Sequence, residues 1–149
     1  MIAEEGLTPA QRDDLRVIAA VMIPESTEYH VPGADDAVIQ ADILTTLGRD
    51  TKPVRDALDH LARLAGRPLA EFDGAKREAV AREFRASGGT AAATLSRVVL
   101  QCYYRDDRVL RSLGLELRPP FPKGHALEQG DWSLLEPVKA RLPMWRRVR

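Results

Sequence analysis

Residues 21–36 read VMIPESTEYHVPGADD. An apolar run stops at Pro24, and Glu25, Glu28, Tyr29, His30 and the pair Asp35-Asp36 follow within a dozen residues. Two readings compete. A metal site would need three or four nitrogen or oxygen donors converging from Glu25, Glu28, His30, Asp35 and Asp36. The other reading is a corner, where one helix ends and the next begins. Proline disfavours the α conformation in the residue before it, and Pro32-Gly33 makes the turn. Asp35 and Asp36 then fall in the first turn of a new helix, where carboxylates meet the positive end of the dipole. No HxxxH or ExxH spacing accompanies the acids, so the corner is preferred.

The flanking sequence agrees with it. In 7–24, LTPAQRDDLRVIAAVMIP, Thr8 is an N-cap, Pro9 takes the first helical position and Gln11 completes a capping box. Leu15, Ile18 and Met22 then share one face. After the corner, Ile39, Ile43 and Leu47 form the next apolar stripe, with Gly48 as its stop. A third helix fits 51–66, TKPVRDALDHLARLAG, capped by Thr51, with Val54, Leu58, Leu61 and Ala65 inward and Gly66 just past its end. Asp73 caps a fourth, with Val80 and Phe84 inward, closed by Gly88-Gly89. The fifth, TAAATLSRVVLQCYY over 90–104, is the most apolar and therefore central. A sixth runs from Asp106 to Gly114.

Beyond Gly114 the composition changes. Residues 115–149 hold half of the ten prolines and one short helical signal, DWSLLEPV at 131–138. Proline pre-stiffens an extended chain, which then loses less entropy on docking. The expected fold is all-α: a compact helical body of about six helices over 1–114 and a proline-rich, mostly extended C-terminal strap over 115–149. The strap is expected to pack on the body, on a partner, or on both.

Composition narrows the function classes. A chain of 149 residues supports one domain with a sizeable core. With 44% hydrophobic and 30% charged residues it does not read as disordered. Cys102 is the only cysteine, which excludes an intramolecular disulfide and a cysteine-built zinc site. No apolar stretch approaches the ~20 residues of a membrane span. The start, MIAEEGLTPAQRDDL, carries acids where a signal peptide carries bases. A cytoplasmic location is therefore expected.

Net charge is zero, yet residues 1–75 hold 14 acids and 7 bases while residues 76–149 hold 8 acids and 15 bases. Such asymmetry can orient association with a complementary partner. Nucleic acid is disfavoured, because Arg82, Arg97, Arg105, Arg108 and Arg111 alternate with acids and apolar residues and lack interleaved stacking aromatics.

Catalytic signals are sparse. No GxSxG presents a nucleophile, and Gly88-Gly89-Thr90 lacks both the Walker lysine and a preceding strand. Cys102, inside the most apolar helix, reads as an inert buried thiol. His60 reads as a surface or half-buried residue beside Asp59. Of Tyr103 and Tyr104, one ring is expected in the core and the other at an edge with its hydroxyl bonded. No catalytic, cofactor-binding or metal-binding residue is assigned to this chain. The strap differs, because amphipathic aromatics flanked by arginines match the composition of interface anchors. The expected partner interface is Tyr104, Arg118, Phe121, His125, Trp132, Trp145 and Arg146. Trp132, beside the helix start at Asp131, is expected to pack inward, which leaves Trp145 as the freer anchor.

Residues 103–141, YYRDDRVLRSLGLELRPPFPKGHALEQGDWSLLEPVKAR, taken with 7–24 and the restart PGADDAVIQADIL at 32–44, resemble the gluconate 2-dehydrogenase subunit 3 family. The resemblance runs from about Leu7 to Arg141. It implies a small, helical, non-catalytic subunit encoded beside a large flavoprotein, often of the glucose–methanol–choline type. Such a subunit stabilises or matures an FAD-dependent sugar or alcohol dehydrogenase, and the FAD belongs to the partner. Many relatives carry a twin-arginine export signal, which MIAEEGLTP lacks. The alternatives are a stand-alone helical enzyme using Tyr103, Tyr104, His125 or a metal near His30, and a free-standing regulatory binding module.

Overall fold

Thr8 opens the first helix. The computed structural model describes residues 6–117 and 129–142. In it the Thr8 hydroxyl accepts the Gln11 amide at 3.2 Å, and the Thr8 amide donates to Gln11 Oε1 at 3.0 Å. This reciprocal pair satisfies two otherwise orphaned donors at the start of α1 (Pro9–Met22). Pro24 follows its end, and Leu15, Ile18 and Ala19 are its buried face.

Five further helices complete the first unit: α2 (Ala37–Thr46), α3 (Thr51–Ala65), α4 (Gly74–Ser87), α5 (Gly89–Tyr103) and α6 (Asp107–Ser112). Three of these starts carry a side-chain cap. Asp36 caps α2 by accepting the Val38 amide at 2.9 Å, Asp73 caps α4 through the Lys76 amide at 2.8 Å, and Asp106 caps α6 through the Arg108 amide at 2.9 Å. The acidic pair of the corner therefore sits one step earlier than expected. Asp36 is the cap itself, and Asp35 lies outside the helix.

The entrance to α3 also differs from expectation. Thr51 is its first helical residue rather than its cap, and its hydroxyl donates to the Gly48 carbonyl at 2.8 Å. The 3-10 turn over Gly48–Asp50 starts at Gly48 with a left-handed φ of 46°, and Asp50 and Thr51 then pass into the helix through right-handed dihedrals without a side-chain cap. Asp50 is thereby left to pair with Arg97 at 2.8 Å. The far end follows the sequence, since Gly66 adopts a left-handed φ of 72° that costs glycine nothing.

The core forms around α3, whose Val54, Ala57, Leu58 and Leu61 are buried at the spacing of one helical face. α3 packs on α1, α4 and above all α5, and α2 covers another side of α5. α5 buries Ala92, Leu95, Val98, Val99, Cys102 and Tyr103, which makes it the central element its composition indicated. The described body is all-α, and its only ladder-type contact is an isolated bridge between Ser26 and Val31. No helix of the described residues is long and apolar enough to cross a membrane.

The chain divides into two units, Met1–Leu117 and Arg118–Arg149. In the second, residues 132–135 form a 3-10 turn that runs into α7 (Glu136–Lys139). Asp131 starts it by accepting the Ser133 amide at 3.0 Å. This is the helical signal read at 131–138.

Candidate functional site

The corner at 21–36 is built as a closed loop. Ser26 and Val31 exchange backbone hydrogen bonds of 3.1 Å, and the Ala34 amide returns to the Ile23 carbonyl at 2.9 Å. His30 takes a left-handed φ of 53° at the end of this loop, a turn position with an exposed side chain. Gly33 is buried where the chain folds back on itself. A Cβ there would lie 2.9 Å from the Glu25 nitrogen and would collide with the Asp35 carboxylate.

The last helix of the body and the end of α5 fasten this corner. Arg108 lays its guanidinium across both Asp36 oxygens at 2.7 and 3.1 Å and meets Asp106 at 2.9 Å. One arginine thus ties the cap of α2 to the cap of α6. It holds both carboxyls below the usual carboxylate range, against the opposing pull of burial. The Tyr103 hydroxyl donates to the Pro32 carbonyl at 3.2 Å, and the Ser112 hydroxyl donates to the Tyr29 carbonyl at 2.9 Å. The donors of the opening cluster are distributed among these contacts and solvent. No group of three or more His, Cys, Asp or Glu side chains gathers as metal ligands among the described residues.

Tyr103 and Tyr104 divide differently from expectation. The core ring carries the hydroxyl bond, because Tyr103 reaches from α5 to the corner, and burial pushes its phenol up. Tyr104 stacks edge-on against it at 5.2 Å and is 52% exposed. His60 bonds Ser87 at 2.9 Å and leans on the Phe84 ring. Cys102 is buried beside Thr46 and Arg105, and burial raises its thiol.

The charge asymmetry is partly consumed inside the body. Arg97, Arg105 and Arg108 reach back to Asp50, Asp42 and Asp36, and Arg105 grips Asp42 with two bonds of 2.6 Å. Sequence separation hid these pairs.

Two surfaces among the described residues bear on a binding role. The first is the C-terminal segment 129–142. Trp132 is 66% exposed, with its indole N–H donating to Gln129 Oε1 at 3.0 Å. Trp132 is therefore exposed rather than packed inward. Leu134, Leu135, Val138 and Leu142 are exposed as well, Leu142 to 87%. Of the other expected interface residues, Arg118, Phe121, His125, Trp145 and Arg146 lie outside the described residues. The second surface, which the sequence reading missed, is an open cleft of about 730 Å³. It lies along α1, α4 and α5, with Ile18, Met22, Phe84 and Leu100 among its lining residues.

Comparison with family models, with curated proteins and with solved structures returns no match.

Proposed function

We propose that this chain is a non-catalytic accessory subunit that binds and stabilises an FAD-dependent sugar or alcohol dehydrogenase. The observation that carries the reading is the run of exposed apolar side chains on residues 129–142, headed by Trp132 and Leu142. Large apolar groups gathered on so short a segment are the composition of an interface anchor. Sequence resemblance supplies the class of partner. Within the body, the titratable groups of the corner serve as caps and ion pairs, which supports a binding role over a chemical one.

Co-expression with the flavoprotein encoded beside this chain tests the proposal. Elution of a single complex carrying flavin absorbance is the expected result. Separate elution of the two chains, or dehydrogenase turnover by this chain alone, would overturn it.

A further inference from the structure

The open cleft has a definite shape. α1 and α5 each pack on α3 and α4, and the cleft opens between them with α4 along one bank. On α5 its lining runs from Gly89 to Leu100, about 16 Å of helix or three turns. Ile18 and Met22 of α1 and Ala92, Ser96 and Leu100 of α5 recur at intervals of four, which are the rows that receive the ridges of another helix. Phe84 closes the floor, and Leu100 stands 41% exposed at the edge. An elongated trough with helical periodicity suits a helix better than a compact small molecule.

Charge selects which helix. Arg82 and Arg85 are exposed on the α4 bank, and neither has a carboxylate within ion-pair distance among the described residues. The arginines at 97, 105 and 108 are paired, whereas these two, like Arg16, Arg49 and Arg63, carry no ion pair among the described residues, and they are the arginines that line this cleft. Glu78 is the acid on the same bank, one turn before Arg82.

We propose that the cleft between α1 and α5 receives an amphipathic helix of the partner protein, with its apolar face on Met22, Phe84 and Leu100 and its acidic flank on Arg82 and Arg85. In assigning the helix to the partner, the proposal rests on the accessory-subunit reading. It adds a second contact, on the body, to the anchor at 129–142.

The test uses the full chain and two dye-labelled synthetic helices. Both carry leucines at i, i+3, i+4 and i+7; one is flanked by glutamates and the other by lysines. Fluorescence anisotropy should show the acidic helix binding at least ~10-fold tighter, with affinity falling as salt rises. Arg82→Glu with Arg85→Glu should weaken it roughly 5- to 30-fold, since each rim contact changes sign. Leu100→Asp should weaken it by about 10-fold or more through loss of apolar contact, and circular dichroism establishes that each variant is folded. Equal binding of the two helices, or an arginine variant with unchanged affinity, overturns the proposal. Dimerisation of the chain abolished by Leu100→Asp also overturns it, by making the cleft a self-interface. The same variants are then titrated against the purified flavoprotein. If the flavoprotein binds and the cleft variants leave its affinity unchanged, the cleft assignment falls and the accessory reading stands. If the acidic helix binds as expected and the flavoprotein does not bind at all, the cleft stands and the identity of the partner falls.

Discussion

At Asp36 a single carboxylate both caps α2 and receives Arg108, and asparagine separates the two roles. Asparagine caps a helix about as well as aspartate, so Asp36→Asn removes chiefly the ion pair. With Arg108 and Asp36 both partly exposed, the expected cost is under ~1 kcal/mol. Asp36→Ala loses the cap too and should cost about 1 kcal/mol more. Urea denaturation at unchanged m measures both. The pH dependence has a definite sign. The carboxyls of Asp36 and Asp106 are lowered in the folded state, first by the Arg108 hydrogen bond. Their contribution is therefore present above the ordinary carboxylate value of about 4 and is lost as pH falls below it. The gap between the native protein and Asp36→Asn should close in that acid range. A gap that persists there would mean that charge is not what Asp36 contributes to Arg108. Gly33 makes a different point. Its φ is not left-handed, so the expected cost of Gly33→Ala is steric, about 1–3 kcal/mol by the same denaturation assay. A cost near zero would show that the corner can move aside.

At the scale of the element, α5 shows how much a helix pattern discloses. Its apolar run marked it as central, and Cys102 follows from that position. Buried, with its thiol raised by desolvation, Cys102 should react with a disulfide reagent far more slowly in the native protein than in urea at the same pH. Rapid native labelling would mean that the end of α5 opens readily. The helix boundaries that the sequence placed well are those with a local cause: the Thr8–Gln11 box, the Asp73 and Asp106 caps, and Gly66. The entrance to α3 was misplaced by one residue, because a 3-10 turn continues smoothly into the helix and leaves Thr51 without a cap to make. Caps act over three or four residues and can be read in a window. Continuity between two turns depends on backbone dihedrals, which the residue types alone do not reveal.

For the whole molecule, the exposed ring of Trp132 gives the most direct test of the proposed partner binding. Removing an exposed side chain should leave stability within ~0.5 kcal/mol, while an interface tryptophan cut to alanine commonly costs ~2–4 kcal/mol of binding, or about 30- to 1,000-fold. Thermal melts of this chain and titration with the proposed flavoprotein partner separate the two effects. Unchanged affinity for Trp132→Ala would move the anchor elsewhere on the chain. The sequence by itself determined the all-α class, the order of the helices, the centrality of α5 and the corner at 21–36, because periodicity, caps and prolines are short-range chemistry. It also showed opposite net charge in the two halves, an asymmetry able to orient association with a partner. Tertiary structure decided otherwise for part of that charge. Arg108 meets Asp36 across 72 positions and Arg105 meets Asp42 across 63, and such pairs exist only once α2, α5 and α6 are packed together. The cleft has the same origin. Each of its helices carries an ordinary amphipathic pattern, and only their mutual packing leaves the trough between α1 and α5 with Arg82 and Arg85 exposed along its bank.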